Sequence, residues 1–388
     1  MAVRRHLLVL GSMGQMPVAG TAWQVLHYLE GFRRLGWDCT YVEDTGDWPY
    51  DLDRNEITND RGYALRHIAR MLEWIGLPGR WAYRARSTNG TVYGPAAGEL
   101  ERLFAGADAL VNLTGSTWLR DEHLSVPVRI YLETDPVLRQ IEVARGEPDA
   151  IAHLSAHTHH FSYGENYGTP DCGVPIEMFT YHPTRPPVVL DWWPAQGAPR
   201  RAPFTTVANW RQRGKDVVWQ GETYTWSKHI EFQRFLDLPA RVGAPLEIAL
   251  AGDDDAHRLL TAHGWWTVDA LRVSRDIEAY RDYIRSSRGE FTVAKDQNIR
   301  LRSGWFSDRS VCYLAAGRPV ITQDTGFGAI FPTGRGLFAF RTAEDVVSAI
   351  EAVERDYATH AAAARELAYE YFAAEKVIGR ILQQAGLA

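Results

Sequence analysis

The sequence predicts two consecutive α/β units, each a doubly wound sheet with helices on both faces. Three observations carry that expectation. Short, almost wholly apolar runs alternate with stretches of helical periodicity, as strands covered on both faces require. A proline-rich break from Thr184 to Pro203 divides the chain, and the same alternation restarts beyond it. The length, 388 residues, suits two or three domains at roughly 100–200 residues each.

The first 45 residues read as strand, glycine loop, helix and strand. His6-Leu-Leu-Val-Leu10 is a continuous apolar run, and a loop from Gly11 to Gly20 follows it. Ala22, Val25, Leu26, Leu29 and Phe32 then recur at helical spacing. Gly36 ends that helix, and Cys39-Thr-Tyr-Val42 supplies the next strand. Ala109-Leu-Val-Asn112, Val128-Arg-Ile-Tyr-Leu132 and His160-Phe-Ser-Tyr163 fit further strands, each followed by a polar or glycine-bearing turn. Such turns gather at the carboxyl edge of the sheet, where ligands bind. Past the break, Phe204-Thr-Thr-Val-Ala208, Leu246-Glu-Ile-Ala-Leu250, Phe291-Thr-Val-Ala294 and Pro319-Val-Ile-Thr322 are strands of a second Rossmann-like half. From Ala343 onward the composition is helical and lacks proline. An apolar series there (Ala363, Leu367, Tyr371, Val377, Ile378, Ile381) breaks near Phe372-Ala-Ala-Glu375, which predicts two helices meeting at an angle.

Composition narrows the function classes. Hydrophobic residues make up 45% and charged residues 23%, the balance of a globular protein with a full core, so dominant disorder is excluded. Forty-two basic residues face 48 acidic ones, and no strongly basic segment offers a phosphate-tracking surface; nucleic acid is not expected as a partner. Cys39, Cys172 and Cys312 are odd in number and far apart, which argues against a disulfide framework and against structural zinc. The opening apolar run stops at Gly11, too short for a secretion signal, and no later stretch is long enough to span a bilayer. A cytoplasmic protein is expected.

The most informative stretch runs from Ser303 to Thr322. Ser307 is a good helix N-cap, Asp308 suits the first turn, and Gly317 with Pro319 stops the helix. Val311, Leu314 and Ala315 form its buried stripe. The helix thus begins at the carboxyl edge, with free N–H groups and the positive end of its dipole in the cleft. Ser307, Arg309 and Ser310 around that start make an anion site suited to a diphosphate. A plain capped helix packed on a sheet accounts for the same residues.

The order of short helix, small residue plus Gly317, Pro-Val-Ile strand and loop Asp324-Thr-Gly-Phe-Gly328 resembles the donor half of GT-B glycosyltransferases. It is most similar to the retaining glycosyltransferase family 4 (glycosyl transferases group 1), which carries an acidic E-x7-E motif here. The resemblance implies two Rossmann-like domains facing each other across a cleft: residues 1–190 for the acceptor, 204–373 for the donor, with a C-terminal helix, 374–388, crossing back to the first. It implies transfer of a sugar from a nucleotide diphosphate donor to an acceptor, without metal or cofactor and with retention of configuration. The chain departs from the motif, because Gly304 and Cys312 stand where the two glutamates are expected; Asp308 is the substitute carboxylate.

The same resemblance assigns further roles. A basic pair after the first strand of the donor half neutralises the leaving diphosphate, which points to Lys228 with Arg211 or Arg213. The base would lie against Val268 to Val273, and Lys295 is a second candidate phosphate contact. Gly11-Ser-Met-Gly-Gln-Met-Pro-Val-Ala-Gly20 lacks the dinucleotide fingerprint. Gly14 is the expected close-approach residue when the domains shut. Glu133, Asp135, Glu165 and Asn166 lie in turns facing the cleft; Glu133 and Glu165 are candidate bases for the acceptor hydroxyl, although such residues are more often turn formers.

Two patterns are set aside. Asp253-Asp-Asp255 precedes a helical stretch and reads as a helix N-terminal charge cluster rather than a metal-binding D-x-D. His153, His157, His159 and His160 straddle a helix end and a strand start with no cysteine partner, a poor zinc site. Two other readings stay open: a nucleotide-sugar epimerase on the same fold, needing carboxylates such as Asp308 and Glu133 around the sugar, and a non-catalytic nucleotide- or sugar-binding protein.

Overall fold

The computed structural model describes residues 5–197, 201–212, 214–252 and 254–388. The first sheet has eight strands in the order Tyr181–Pro183, His159–Ser162, Val128–Glu133, Ala109–Leu113, His6–Leu10, Asp38–Glu43, Trp81–Arg84 and Val92–Tyr93. Only the last pair is antiparallel. The second sheet is parallel throughout, in the order Trp266–Asp269, Leu246–Ala251, Phe204–Asn209, Gly289–Thr292, Val320–Gln323 and Leu337–Phe340. The expected α/β architecture is therefore present in both halves. Central strands such as Ala109–Leu113 are buried at every position, which is why they read as unbroken apolar runs.

The helix Ala19–Arg34 packs against Ile277–Ser286, Asp308–Ala315 and Ala374–Gln384. Val25 and Leu29 of the first half share one continuous apolar core with Ile277, Val311 and Leu314 of the second. The halves are thus joined by packed helices as well as by chain. The connecting segment is itself anchored: Val188, Val189 and Trp193 are buried.

The chain end crosses back as expected. Ala374–Gln384 lies so close to the first helix that a Cβ at Gly31 would stand 2.2 Å from Ile378 Cδ1, and Arg34 pairs with Glu375 at 3.0 Å. The bend between the last helices falls at Ala373, with φ −53° and ψ 128°. Its cause is pairing with the connecting segment: Val188 N donates to Phe372 O at 2.8 Å, and Ala374 N donates to Val188 O at 2.9 Å. No glycine or proline is needed there. Among the described residues, no helix is long and apolar enough to cross a membrane.

Candidate active site

The carboxyl edge of the second sheet and the amino-terminal end of the helix Ala19–Arg34 enclose a cleft of about 650 Å³. Val18, Thr21 and Gln24 line one side; Asn209, Lys295, Ser307, Asp308, Arg309 and Cys312 line the other. The helix Asp308–Ala315 opens into this space. Its N-cap is Ser307, as expected, with extended backbone, but the Ser307 side chain makes no capping hydrogen bond. Asp308 and Cys312, four apart, share the face turned to the cleft, and Arg309 reaches it from the adjoining side of the first turn. Ser310 falls on the other face, fully buried with its hydroxyl unpartnered, so its place in the anion site is corrected: helical rotation carries it away from the cleft.

Arg309 is fixed from behind. Its Nε donates to Glu290 Oε1 at 2.6 Å, Nη1 to Val207 O at 2.7 Å and Nη2 to Thr292 Oγ1 at 2.8 Å. Glu290 is wholly buried, so the pair presents an oriented guanidinium whose charge is largely balanced. Asp308 is pushed up to about 6 by burial, against hydrogen bonds from Gln24 and Tyr163 and the nearby charge of Arg309.

Two lysines complete the positive side. Lys295 Nζ donates to both oxygens of Asp135, at 2.6 and 2.7 Å, while Trp226 Nε1 donates to Asp135 Oδ2 at 2.7 Å. Asp135 belongs to the first half, so this contact spans the cleft. Lys228 is different: it is buried, does not itself line the cleft, and its ammonium, 5.7 Å from the Trp305 ring centre, makes no ion pair or hydrogen bond among the described residues. Burial, with Arg309 and Lys295 nearby, holds its ammonium well below the usual lysine value. An unpaired buried cation costs stability unless an anion arrives to meet it.

Other expected residues lie elsewhere. Glu133 accepts from Ser162 Oγ at 2.5 Å, Gln140 Nε2 at 2.9 Å and Tyr167 OH at 3.2 Å, a closed network inside the first half. Glu165 is paired with Arg185, and its side chain is 5% exposed. Neither lines the cleft, so both are corrected from candidate bases to structural carboxylates; burial pushes each to about 7. Gly14 is also corrected. Its close approach is to Ile68 Cδ1, 2.7 Å from an added Cβ, and its N–H donates to Glu43 at 2.7 Å. Gly20 lines the cleft instead. Val268 and Val273 are half-buried outside it, while Ala270, Leu271 and Ser274 form that wall, because the turn after Trp266–Asp269 is already helical. Arg211 is exposed and its neighbour Gln212 reaches the cleft; Arg213 and Asp253 lie outside the described residues. Asn166 donates to Arg302 O and Gly326 O, both at 3.1 Å, tying the halves together.

Sequence reading missed Thr21 and Gln24. Their signal was available, since both are polar positions one turn apart at the start of an otherwise apolar helix. Asp254 does begin a helix, Asp254–Ala262. The buried histidines are structural: burial holds His153 at about 4 and His157 at about 3, and both pack beside Tyr131. Among the described residues the one cluster with metal-ligand spacing is Asp44, Glu122 and His123. Arg84 at 3.3 Å and Arg120 at 2.5 Å already neutralise Asp44, which makes it an ion-pair knot.

This arrangement, two parallel sheets with a cleft between them and a returning terminal helix, is the GT-B fold of glycosyltransferases. Among solved structures the chain is similar to an alpha-glucosyltransferase in complex with UDP and a 13-mer DNA containing a HMU base, at TM-score 0.58 and 9% identity over 99% of this chain and 100% of that one. It is similar also to HepE of Anabaena in complex with UDP and glucose, at TM-score 0.56 and 13% identity over 98% and 99% of the two chains. AviGT4, a glycosyltransferase involved in avilamycin A biosynthesis, matches at TM-score 0.52 and 12% identity over 98% and 97%. No protein-family model and no curated protein matches the chain.

Proposed function

We propose that the protein transfers a glycosyl group from a nucleoside diphosphate sugar to an acceptor hydroxyl. The observation that carries this reading is the convergence of an uncapped helix start, the fixed Arg309 and the unpaired buried Lys228 beside one cleft. The diphosphate sits at the start of Asp308–Ala315, met by Arg309 and Lys228, with Lys295 drawn from Asp135. Asp308 faces the sugar. The bond between the anomeric carbon and the diphosphate oxygen breaks, the acceptor oxygen bonds to that carbon, and the acceptor proton is released. The leaving diphosphate gains negative charge, which the fixed cations stabilise without a metal ion. The first half with the terminal helix holds the acceptor, and residues 204–373 hold the donor.

UDP bound in the neighbouring structures supports a uridine nucleotide as first choice. The motif order around Gly317 supports kinship with the retaining family 4, hence retention. Among the described residues, those of the first half that line the cleft carry no Lys or Arg, which supports an acceptor other than the DNA bound by some neighbours. The test is a thermal-shift screen against UDP, GDP, TDP and ADP, followed by nucleotide release from the matching sugar donors. A ligand that binds only the native state raises the midpoint. No shift with any of the four nucleotides sinks the reading.

A further inference from the structure

Behind Asp308 stands a pair of buried phenols. The Tyr28 and Tyr163 hydroxyl oxygens are 2.9 Å apart, and the Tyr163 hydroxyl donates to Asp308 Oδ1 at 3.2 Å. A phenol has one proton to give, and Tyr163 spends its own on the carboxylate. Tyr28 must therefore donate to Tyr163, which makes the chain directed: Tyr28 to Tyr163 to Asp308. Both phenols are essentially without solvent contact. Burial pushes both well above the usual tyrosine value, so they stay neutral donors. Tyr28 lies on the helix Ala19–Arg34 and Tyr163 just beyond the strand His159–Ser162, whereas Asp308 belongs to the second half. The chain is complete only while the halves are together.

We propose that Tyr163, backed by Tyr28, is a positioning residue that keeps Asp308 ionised and directed at the donor sugar in the closed molecule. Its functional readout rests on the glycosyl-transfer reading; the hydrogen-bond chain does not. A carboxylate at a helix start beside an incoming diphosphate meets like charge, and burial already disfavours its ionised form. Positive charge and donors to the charged form oppose this. The groups facing Asp308 are Arg309 and Cys312 on its own helix, Gln24 and Tyr28 on the first helix, and Tyr163. Arg309 favours the ionised carboxylate, but its guanidinium is shared with Glu290, and the Cys312 thiol is held neutral by burial. Gln24, Tyr163 and the Asp308 backbone N–H are left as direct donors. Removing the Tyr163 hydroxyl takes away one donor to the charged form, so the Asp308 carboxyl moves upward from about 6.

Full-length Tyr163→Phe and Tyr28→Phe are compared with wild type using UDP-glucose as the probe, with hydrolysis followed from pH 5 to 9 and UDP affinity measured alongside. In Tyr163→Phe the acid limb of kcat should rise by about half to one pH unit, and by less in Tyr28→Phe, with UDP affinity within about twofold of wild type. Carboxyl ¹³C NMR, with Asp308→Asn identifying the resonance, should show the same upward move. An unmoved Asp308 titration in Tyr163→Phe overturns the chain whatever the enzyme does. A fall in rate equal at every pH also overturns it, marking Tyr163 as packing alone. A moved titration in a protein that releases nucleotide from none of the UDP, GDP, TDP or ADP sugars upholds the chain and defeats the transferase reading instead.

Discussion

Arg309 lines the cleft and Lys228 lies behind its wall, and the two cations have opposite energetics. Lys228 forms no ion pair among the described residues, with Glu290 and Asp135 acting on it only at a distance, so Lys228→Met should leave the fold as stable as wild type or more so, while weakening nucleoside diphosphate binding about ten- to a hundredfold. Calorimetric titration with UDP beside a denaturant melt reads both quantities; unchanged affinity removes Lys228 from the site. Arg309→Ala should lose affinity and also about 3–5 kcal/mol of stability, because Glu290 is left buried without its partner. A variant as stable as wild type would show that Glu290 escapes to solvent or takes up a proton at little cost. Residue types at the helix start were legible because capping and charge rules act over a few positions. What each carboxylate is engaged with was not. Glu133 at a strand end and Glu165 in a turn follow apolar runs that look alike in sequence, yet Ser162, Gln140 and Arg185 claim them through contacts set by the tertiary fold.

The terminal helix is where element-level reasoning can be checked most sharply. Val377, Ile378, Ile381 and Leu382 are all buried in the core shared with the first helix. Ile378→Ala should cost about 2–5 kcal/mol, and hydrogen exchange should rise first in Ala19–Arg34. Protection lost only within residues 204–342 would show that the helix serves the second half. The helix itself was visible from its apolar spacing, and so was the bend near residue 373. The reason for the bend was hidden, since it is a backbone pairing with Val188, some 185 positions away. The inner strands of both sheets were legible for a related reason: burial on both faces leaves an unbroken apolar run, and only their ends shift by a residue or two; the outer strands Trp81–Arg84, Val92–Tyr93, Tyr181–Pro183, Trp266–Asp269 and Leu337–Phe340 were not read. The short pairing of Tyr50–Asp51 with Glu56–Ile57 carries no such run and went unread.

At the scale of the molecule, Asp135 is the contact to test. One carboxylate of the first half accepts from Lys295 and Trp226 of the second, with Lys215 at 3.9 Å. Asp135→Asn removes the charge that holds these groups, and small-angle scattering without nucleotide should report a larger radius of gyration than wild type. Saturating UDP should restore compaction, because the phosphates replace the lost carboxylate. Identical curves would mean that the packed helices alone keep the halves together.

The returning helix also sets a timetable for the newborn chain. Ala374–Gln384 covers the helix that begins at Ala19, so two segments some 340 residues apart complete one apolar surface. A first half emerging from the ribosome must wait for some 180 further residues, about 10–40 s at ordinary elongation rates, before that surface is sealed. Through that interval the Gly31 face of the first helix is exposed to chaperones and to neighbouring chains. A nascent chain stalled before residue 374 should therefore be protease-sensitive in its first half, and supplying residues 374–388 as a separate peptide should restore resistance there.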